Sequence, residues 1–237
     1  PMYVVGEATG DHKFVFSDPN KGNPIDWEMK YMFGKPPKTI INDTIQQETF
    51  VEAPYTLSAI DTYLQNVLQL EAVACKDWLT NKVDRSVTGK IAKQQTCGEL
   101  QLPLNDVAVV ALDYKANTGI ATSIGHAPVA AMIDPNAGSM LAIAEALTNI
   151  IWAPLTHGLK GVSLSANWMW PCKNKGEDAR LYQAVETVSN FACELGINIP
   201  TGKDSLSMTQ KYGEKKVFSP GTVIISATAV TNDVRKT

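Results

Sequence analysis

The sequence is short of histidine, has no paired cysteine motif and lacks any long apolar run, and each shortage removes a class of function. Its three histidines, His12, His126 and His157, are scattered, so neither a zinc-type spacing nor a triad arrangement can be read from them. His126 lies in SIGHAP, where a local structural or surface role is the plainer reading. The four cysteines, Cys75, Cys97, Cys172 and Cys193, include no CxxC pair, which excludes metal-finger and thioredoxin-like readings. Reduced thiols in a cytoplasmic protein are the expectation. No apolar stretch reaches about 18 residues, and the first residues lack the basic start and apolar segment of a signal peptide. Neither a membrane span nor a secretory leader is expected. A formal charge of -3 offers no basic surface for nucleic-acid phosphates, so the five tryptophans read as core or interface rather than as base-stacking platforms.

What is present is the composition of a folded protein. With 237 residues, 44% of them hydrophobic and 19% charged, the chain can bury a real core and hold one large or two small domains. It opens on Pro1, enters an apolar segment almost at once, and ends on Arg235, Lys236 and Thr237 directly after a strand. An excised piece of a longer polypeptide is expected.

Residues 2 to 17 read as a hairpin, with Tyr3, Val4 and Val5 leading through a Gly10-Asp11 turn to Phe14, Val15 and Phe16. From Ser17 to Pro54, recurrent Pro and Gly break any long periodic element, which predicts a linker over 18 to 50 and a domain boundary near residue 50. Leu57, Ile60, Leu64, Val67 and Leu68 give one apolar face to a helix over 56 to 70. A short element follows around Ala72 to Leu79, then the polar string DRSVTG (84 to 89) and, over 90 to 105, an aperiodic loop ending in a strand. Buried strands are expected at 106 to 114, 120 to 124, 161 to 166 and 221 to 230, with Asn167, Trp168 and Met169 leaving the end of the third. A helix over 176 to 195 has Glu177 and Asp178 in its first turn, lines Leu181, Val185, Val188, Ala192 and Leu195 on one face, and ends at Gly196. Strands and helices interleave, so the fold class is α/β (α+β), a layer of mixed β-sheet and helices.

The stretch from Gly119 to Ala153 is central. Met140, Ile143, Ala144, Leu147 and Ile151 fall at helical spacing, Asp134 or Asn136 can cap the start, and Pro135 suits the first turn. Glu145 and Asn149 stand four residues apart on that helix, so they project from one side. A carboxylate and an amide oxygen so placed can bind a hard cation such as Mg2+ once a third ligand arrives; the plainer reading is a solvated pair. GKDS (202 to 205) fails the phosphate-loop pattern, because Ile197 and Asp204 stand where Gly and Ser or Thr are required, and no GxGxxG occurs. Lys203 and Ser205 can still meet an anion, with a polar turn the plainer reading. Lys76 and Arg85 can offer charge to phosphates, although surface roles are commoner.

The motifs DRSVTG, PLNDVAV (103 to 109), ATSIGHAPVA (121 to 130), AEALTNI (144 to 150), LSANWM (164 to 169), GEDARLY (176 to 182) and IPTGKDSLSM (199 to 208), in this order, closely resemble the formylglycinamide ribonucleotide amidotransferase family in its large single-chain form. That family resembles two aminoimidazole ribonucleotide synthetase-like units joined to a C-terminal glutaminase. The resemblance implies that residues 1 to 17 are the tail of the first unit, 18 to 50 a linker, and 51 to 237 the N-terminal-type domain of the second. It implies Mg2+ at Asp106, Glu145 and Asn149, and ATP or ADP contacts at Asn105, Lys76 and Gln95. Arg85, Lys203 and Ser205 become candidates near the substrate. The implied partners are the other domains of the same polypeptide and a small-molecule nucleotide substrate, with no nucleic acid and no membrane. The implied reaction is ATP-dependent, glutamine-fed amidine formation in purine biosynthesis, of which the isolated piece would be incapable. A structural pairing domain with an inert site, or a related synthetase of the same superfamily, stays open as an alternative.

Overall fold

A computed structural model of the chain describes residues 1–46, 49–71, 73–74, 89–103 and 105–237. It divides into two compact units, Pro1–Asn42 and Asp43–Thr237.

The first unit is a hairpin, but not the expected one. Strand β1 (Lys13–Asp18) pairs antiparallel with β2 (Gly22–Glu28), setting Phe14 opposite Trp27 and Phe16 opposite Ile25, and a single helical turn, α1 (Met29–Met32), follows. Tyr3, Val4 and Val5 belong to no strand and stay exposed. The reversal lies at Asp18 rather than at Gly10-Asp11. There the Asp18 carboxylate accepts from the backbone N–H groups of Asn20 and Lys21, and Gly22 takes a positive φ of 72°. An Asx turn closed by glycine reverses the chain tightly, so the partner strand comes from the segment read as linker.

The second unit is a mixed sheet carrying helices. A single 3-10 turn, Leu57–Ala59, leads into α2 (Ile60–Leu68), whose apolar positions Leu57, Ile60, Leu64, Val67 and Leu68 are all exposed. The region expected to be an aperiodic loop ending in a strand forms three short strands, β3 (Ile91–Lys93), β4 (Thr96–Cys97) and β5 (Leu102–Pro103). Next come β6 (Val107–Ala111), β7 (Gly119–His126), α3 (Pro128–Ile133) and α4 (Pro135–Ile150). Then follow β8 (Ser163–Met169), α5 (Glu177–Leu195), β9 (Asn198–Ser205), the hairpin of β10 (Thr209–Tyr212) with β11 (Lys215–Phe218), and β12 (Thr222–Thr231). Six strands make one sheet in the order β3-β6-β7-β12-β8-β9, antiparallel except for β8 with β9. The parallel neighbours β8 and β9 are joined through α5, a crossover of the kind that parallel pairing requires. Among the described residues no helix is long and apolar enough to cross a membrane.

The strands behave as alternation dictates. On β7, Ala121, Ser123 and Gly125 are buried, while Ile124 and His126 face away and are exposed. Val107 and Val109 of β6, Leu164 and Ala166 of β8, and Val223, Ile225, Ala227 and Ala229 of β12 join the buried side. Against them lie Ala142, Ile143, Ala146, Leu147 and Ile150 of α4, with Val188 of α5 in the same cluster.

Several expectations shift by part of a turn or a few residues. Asp134 does cap α4, accepting from Asn136 N–H, and Pro135 sits at the first position. Ile143 and Leu147 of α4 are buried as expected, but the buried face also takes in Gly138, Ala142, Ala146 and Ile150, while Met140, and Ile151 just past the helix end, are exposed. The cause is proximity: the smallest side chains turn inward where the helix approaches the sheet most closely. In α5, Ala184, Val188 and Ala192 are buried and Val185 and Leu195 are exposed, while Gly196 ends the helix in the left-handed conformation with a φ of 66°. Strand β8 continues through Asn167, Trp168 and Met169. GKDS is not a turn but the end of β9, and Gly202 explains why: a Cβ there would lie 2.2 Å from the Ala166 carbonyl oxygen of β8. The element expected around Ala72 to Leu79, and all of DRSVTG except Gly89, lie outside the described residues.

The start of α5 receives its cap from far away in sequence. Gly176 carries no side chain to cap with, and the Asp43 carboxylate takes that place, accepting from the N–H groups of Gly176 (3.1 Å), Asp178 (3.1 Å) and Ala179 (3.3 Å). Partial desolvation raises the Asp43 pKa, but hydrogen bonds from the N–H groups of Thr44, Gly176, Ala179 and Asp178 outweigh it, so the net shift is downward. A carboxyl depressed in the folded state stabilises above its unfolded pKa, and this contribution fades as pH falls through the folded one. Asp43→Ala is expected to speed hydrogen exchange at the Gly176, Asp178 and Ala179 amides at neutral pH. Unchanged protection would show that the cap holds nothing.

Candidate functional site

Strand β6 begins immediately after Asn105 and Asp106, so the sheet's own geometry delivers these two polar residues to the end of a buried strand. The Asn105 N–H donates to the Gln95 carbonyl (3.2 Å), and its side-chain amide donates to the Gln94 carbonyl (2.8 Å). These bonds draw the segment after β3 against the start of β6, which brings Gln95 to the same place. Above it lies α4, whose outward stripe carries Glu145 and Asn149.

Both helical residues are fixed by the backbone of β7. Glu145 Oε2 accepts from the His126 N–H (2.6 Å), and Asn149 Nδ2 donates to the Ile124 carbonyl (3.1 Å). Between them the buried Ser123 hydroxyl donates to the Ala146 carbonyl (2.6 Å). Helix and strand can approach this closely because Gly125 lies beneath: a Cβ there would fall 1.9 Å from the Ala142 carbonyl oxygen.

The result is a recess of about 320 Å³ lined by Gln95, Asn105, Asp106, Val107, Ala108, Thr122, Ser123, Ile124, Glu145 and Asn149. A second lobe of about 280 Å³ shares Asn105, Asp106, Val107 and Asn149 and adds Lys93, Trp152 and Thr237. Five of the residues singled out from sequence, Gln95, Asn105, Asp106, Glu145 and Asn149, therefore converge. Lys76 and Arg85 lie outside the described residues. Lys203 and Ser205 do not join the recess: Lys203 Nζ donates to Ser205 Oγ (2.9 Å) on β9. That strand is four strand spacings from β6, about 19 Å away.

The donor set is two carboxylates and one amide oxygen. Among the described residues no three of His, Cys, Asp and Glu gather as a metal-binding group, and the three side chains at this recess offer oxygen donors. All-oxygen ligands with room for solvent or phosphate oxygens fit Mg2+. Asp106 and Glu145 are both exposed, so their charges face an open recess rather than the core. Cys172, by contrast, is no reactive thiol: burial, then a hydrogen bond with Asp178 and nearby carboxylate charge, push it up to about 12. Lys93 and Trp152, which line the second lobe, were missed from sequence; the available signal was only that Trp152 stands three positions beyond Asn149, just past the end of α4.

Comparison with known proteins places the chain in a family. The family model described as the FGAR-AT PurM_N-like domain matches residues 75–230. The phosphoribosylformylglycinamidine synthase of Homo sapiens is 41% identical over the whole chain, which spans 19% of that relative's length. Its Saccharomyces cerevisiae counterpart is 39% identical over the whole chain, 18% of the relative. A solved structure of PurLQS from Thermotoga maritima aligns with a TM-score of 0.56 at 14% identity, covering 90% of this chain and 31% of that one. The Thermotoga maritima PurL structure complexed with FGAR gives 0.51 at 14% identity, covering 94% and 31%. The fold is that of these synthetases, and the chain belongs to the FGAR-AT PurM_N-like domain family of phosphoribosylformylglycinamidine synthases.

Proposed function

We propose that the Asp43–Thr237 unit supplies a nucleotide-Mg2+ half-site to an ATP-dependent C–N ligase. The ligase converts formylglycinamide ribonucleotide, glutamine and ATP to formylglycinamidine ribonucleotide, glutamate, ADP and phosphate. The observation that carries the reading is the convergence of Asp106, Glu145 and Asn149 from a strand end and a helix face on one recess. Bound there, Mg2+ would neutralise phosphate charge. The chain's own part is positional. Glu145 and Asn149 are anchored to β7, so their remaining oxygens meet a ligand without first being ordered, and Asn105 holds the Gln95 segment as one wall of the recess.

The rest of the reading follows from the relatives' names and the order of motifs. Residues before about 50 belong to a preceding synthetase unit and its linker, and residues 51 to 237 to the second such unit. The first unit and a glutaminase domain of the same polypeptide complete the enzyme in the cytoplasm, and the piece alone does not turn over. Calorimetric titration with ADP, with and without Mg2+, tests the half-site. Saturable binding that needs the cation is expected; absence of Mg-dependent binding from both this chain and the full-length polypeptide would overturn it.

A further inference from the structure

Glu145 and Asn149 stand one turn apart on α4, and Trp152 follows in the turn two residues past the end of the helix. Packing explains the first two only in part and the third not at all. Ile150 and Ala153, on either side of Trp152, are buried at 0% and 4% exposure, whereas Trp152 keeps 76% of its surface exposed. An indole left this open forgoes the hydrophobic gain that normally fixes it. Yet Trp152 is not isolated: it lines the second lobe of the recess with Lys93, Asn105, Asp106 and Asn149.

The two lobes differ chemically. One holds the oxygen ligands Asp106, Glu145 and Asn149; the other adds a flat aromatic ring and a half-buried lysine on β3. Seven positions separate Glu145 from Trp152, which at helical rise is about 10 Å. A ligand that ends in phosphates at Glu145 and carries a planar ring at its other end can reach both. Nucleoside diphosphates have that form.

Resting on the nucleotide reading above, the geometry points to Trp152 as the stacking platform for the base of the bound nucleotide, with Lys93 facing its phosphates from β3. Stacking on an open ring is tolerant of base identity, because every base has a π-face. The site therefore recognises a diphosphate bearing a base, and distinguishes it from bare diphosphate more strongly than one base from another.

The test is titration of the protein and its Trp152→Ala, Trp152→Phe and Lys93→Ala variants with Mg-ADP, Mg-GDP and Mg-pyrophosphate. Trp152→Ala is expected to weaken ADP and GDP alike by about tenfold and leave pyrophosphate unchanged, with Trp152→Phe recovering most of the loss. Lys93→Ala is expected to weaken all three. Unchanged ADP affinity in Trp152→Ala overturns the platform, and so does an equal loss for pyrophosphate, which would mean that the recess itself had been distorted. Failure of Mg-ADP to bind both the unsubstituted chain and the full-length polypeptide sinks the nucleotide reading and this one with it; only the first two results fall on Trp152 alone.

Discussion

Asp106→Asn is expected to lower Mg-dependent ADP affinity on the order of a hundredfold or more, while leaving the melting temperature nearly unchanged. The two halves of this expectation come from the same geometry. Asp106 is exposed at the very start of β6, and no hydrogen bond of the fold rests on its side chain among the described contacts, so an isosteric amide removes nothing structural. Surface changes of this kind stay within about 0.5 kcal/mol. The charge, however, is half of the anionic ligand set. Without it Glu145 is the one carboxylate left facing the recess, and a hard divalent cation gives up hydration reluctantly for neutral ligands. Calorimetry with ADP and Mg2+, beside a thermal melt, reads both quantities together. Intact Mg-dependent binding in the variant would remove Asp106 from the site. A collapsed melt would show instead that the residue is structural.

Gly125→Ala is expected to be the most damaging small substitution in the second unit, destabilising by about 3 kcal/mol or more. The added carbon would stand 1.9 Å from the Ala142 carbonyl oxygen and 2.5 Å from the Ala146 nitrogen. These are backbone atoms of α4, so no side chain can swing aside; helix or strand must move. Movement breaks more than packing. The bonds from Ser123 to Ala146, from His126 N–H to Glu145 and from Asn149 to Ile124 all cross this same seam, so a helix lifted from β7 loses the anchors of its ligands. Chemical denaturation measures the first effect and Mg-ADP titration under folding conditions the second. Wild-type stability in the variant would mean that α4 tolerates a displacement that the contact geometry denies.

What the sequence revealed and what it hid divide along physical lines. Patterns set by neighbours in the chain were legible. Asp134 and Pro135 marked the start of α4, Gly196 marked the end of α5, and the apolar runs marked β6, β7 and β12. Asp106, Glu145 and Asn149 were legible as candidates from spacing and family resemblance, and the fold gathers them. Features that depend on distant contacts were not legible. The facing side of α4 was only partly legible: Ile143 and Leu147 are buried as their spacing implies, but Met140, and Ile151 just past the helix end, are exposed, while Gly138 and Ala142 touch their neighbours. GKDS looked like a polar turn because nothing local shows that Gly202 lies against Ala166. Tyr3, Val4 and Val5 looked like a strand because period alone cannot say whether a partner exists. Lys93 and Trp152 escaped notice because a single lysine and a single tryptophan carry no spacing of their own.

The order of the strands has a consequence for how the sheet is made. Strand β12 is the last made of the described strands of this sheet, yet it lies in its interior, between β7 and β8. Until Thr222–Thr231 has been synthesised, β7 and β8 each lack the neighbour that pairs them along almost their full length. Pairings across such sequence separations form slowly, and unpaired strand edges invite association with other chains. During synthesis, then, β7 and β8 hold two open edges that β12 closes, and the interval before that strand arrives exposes this sheet to misassembly.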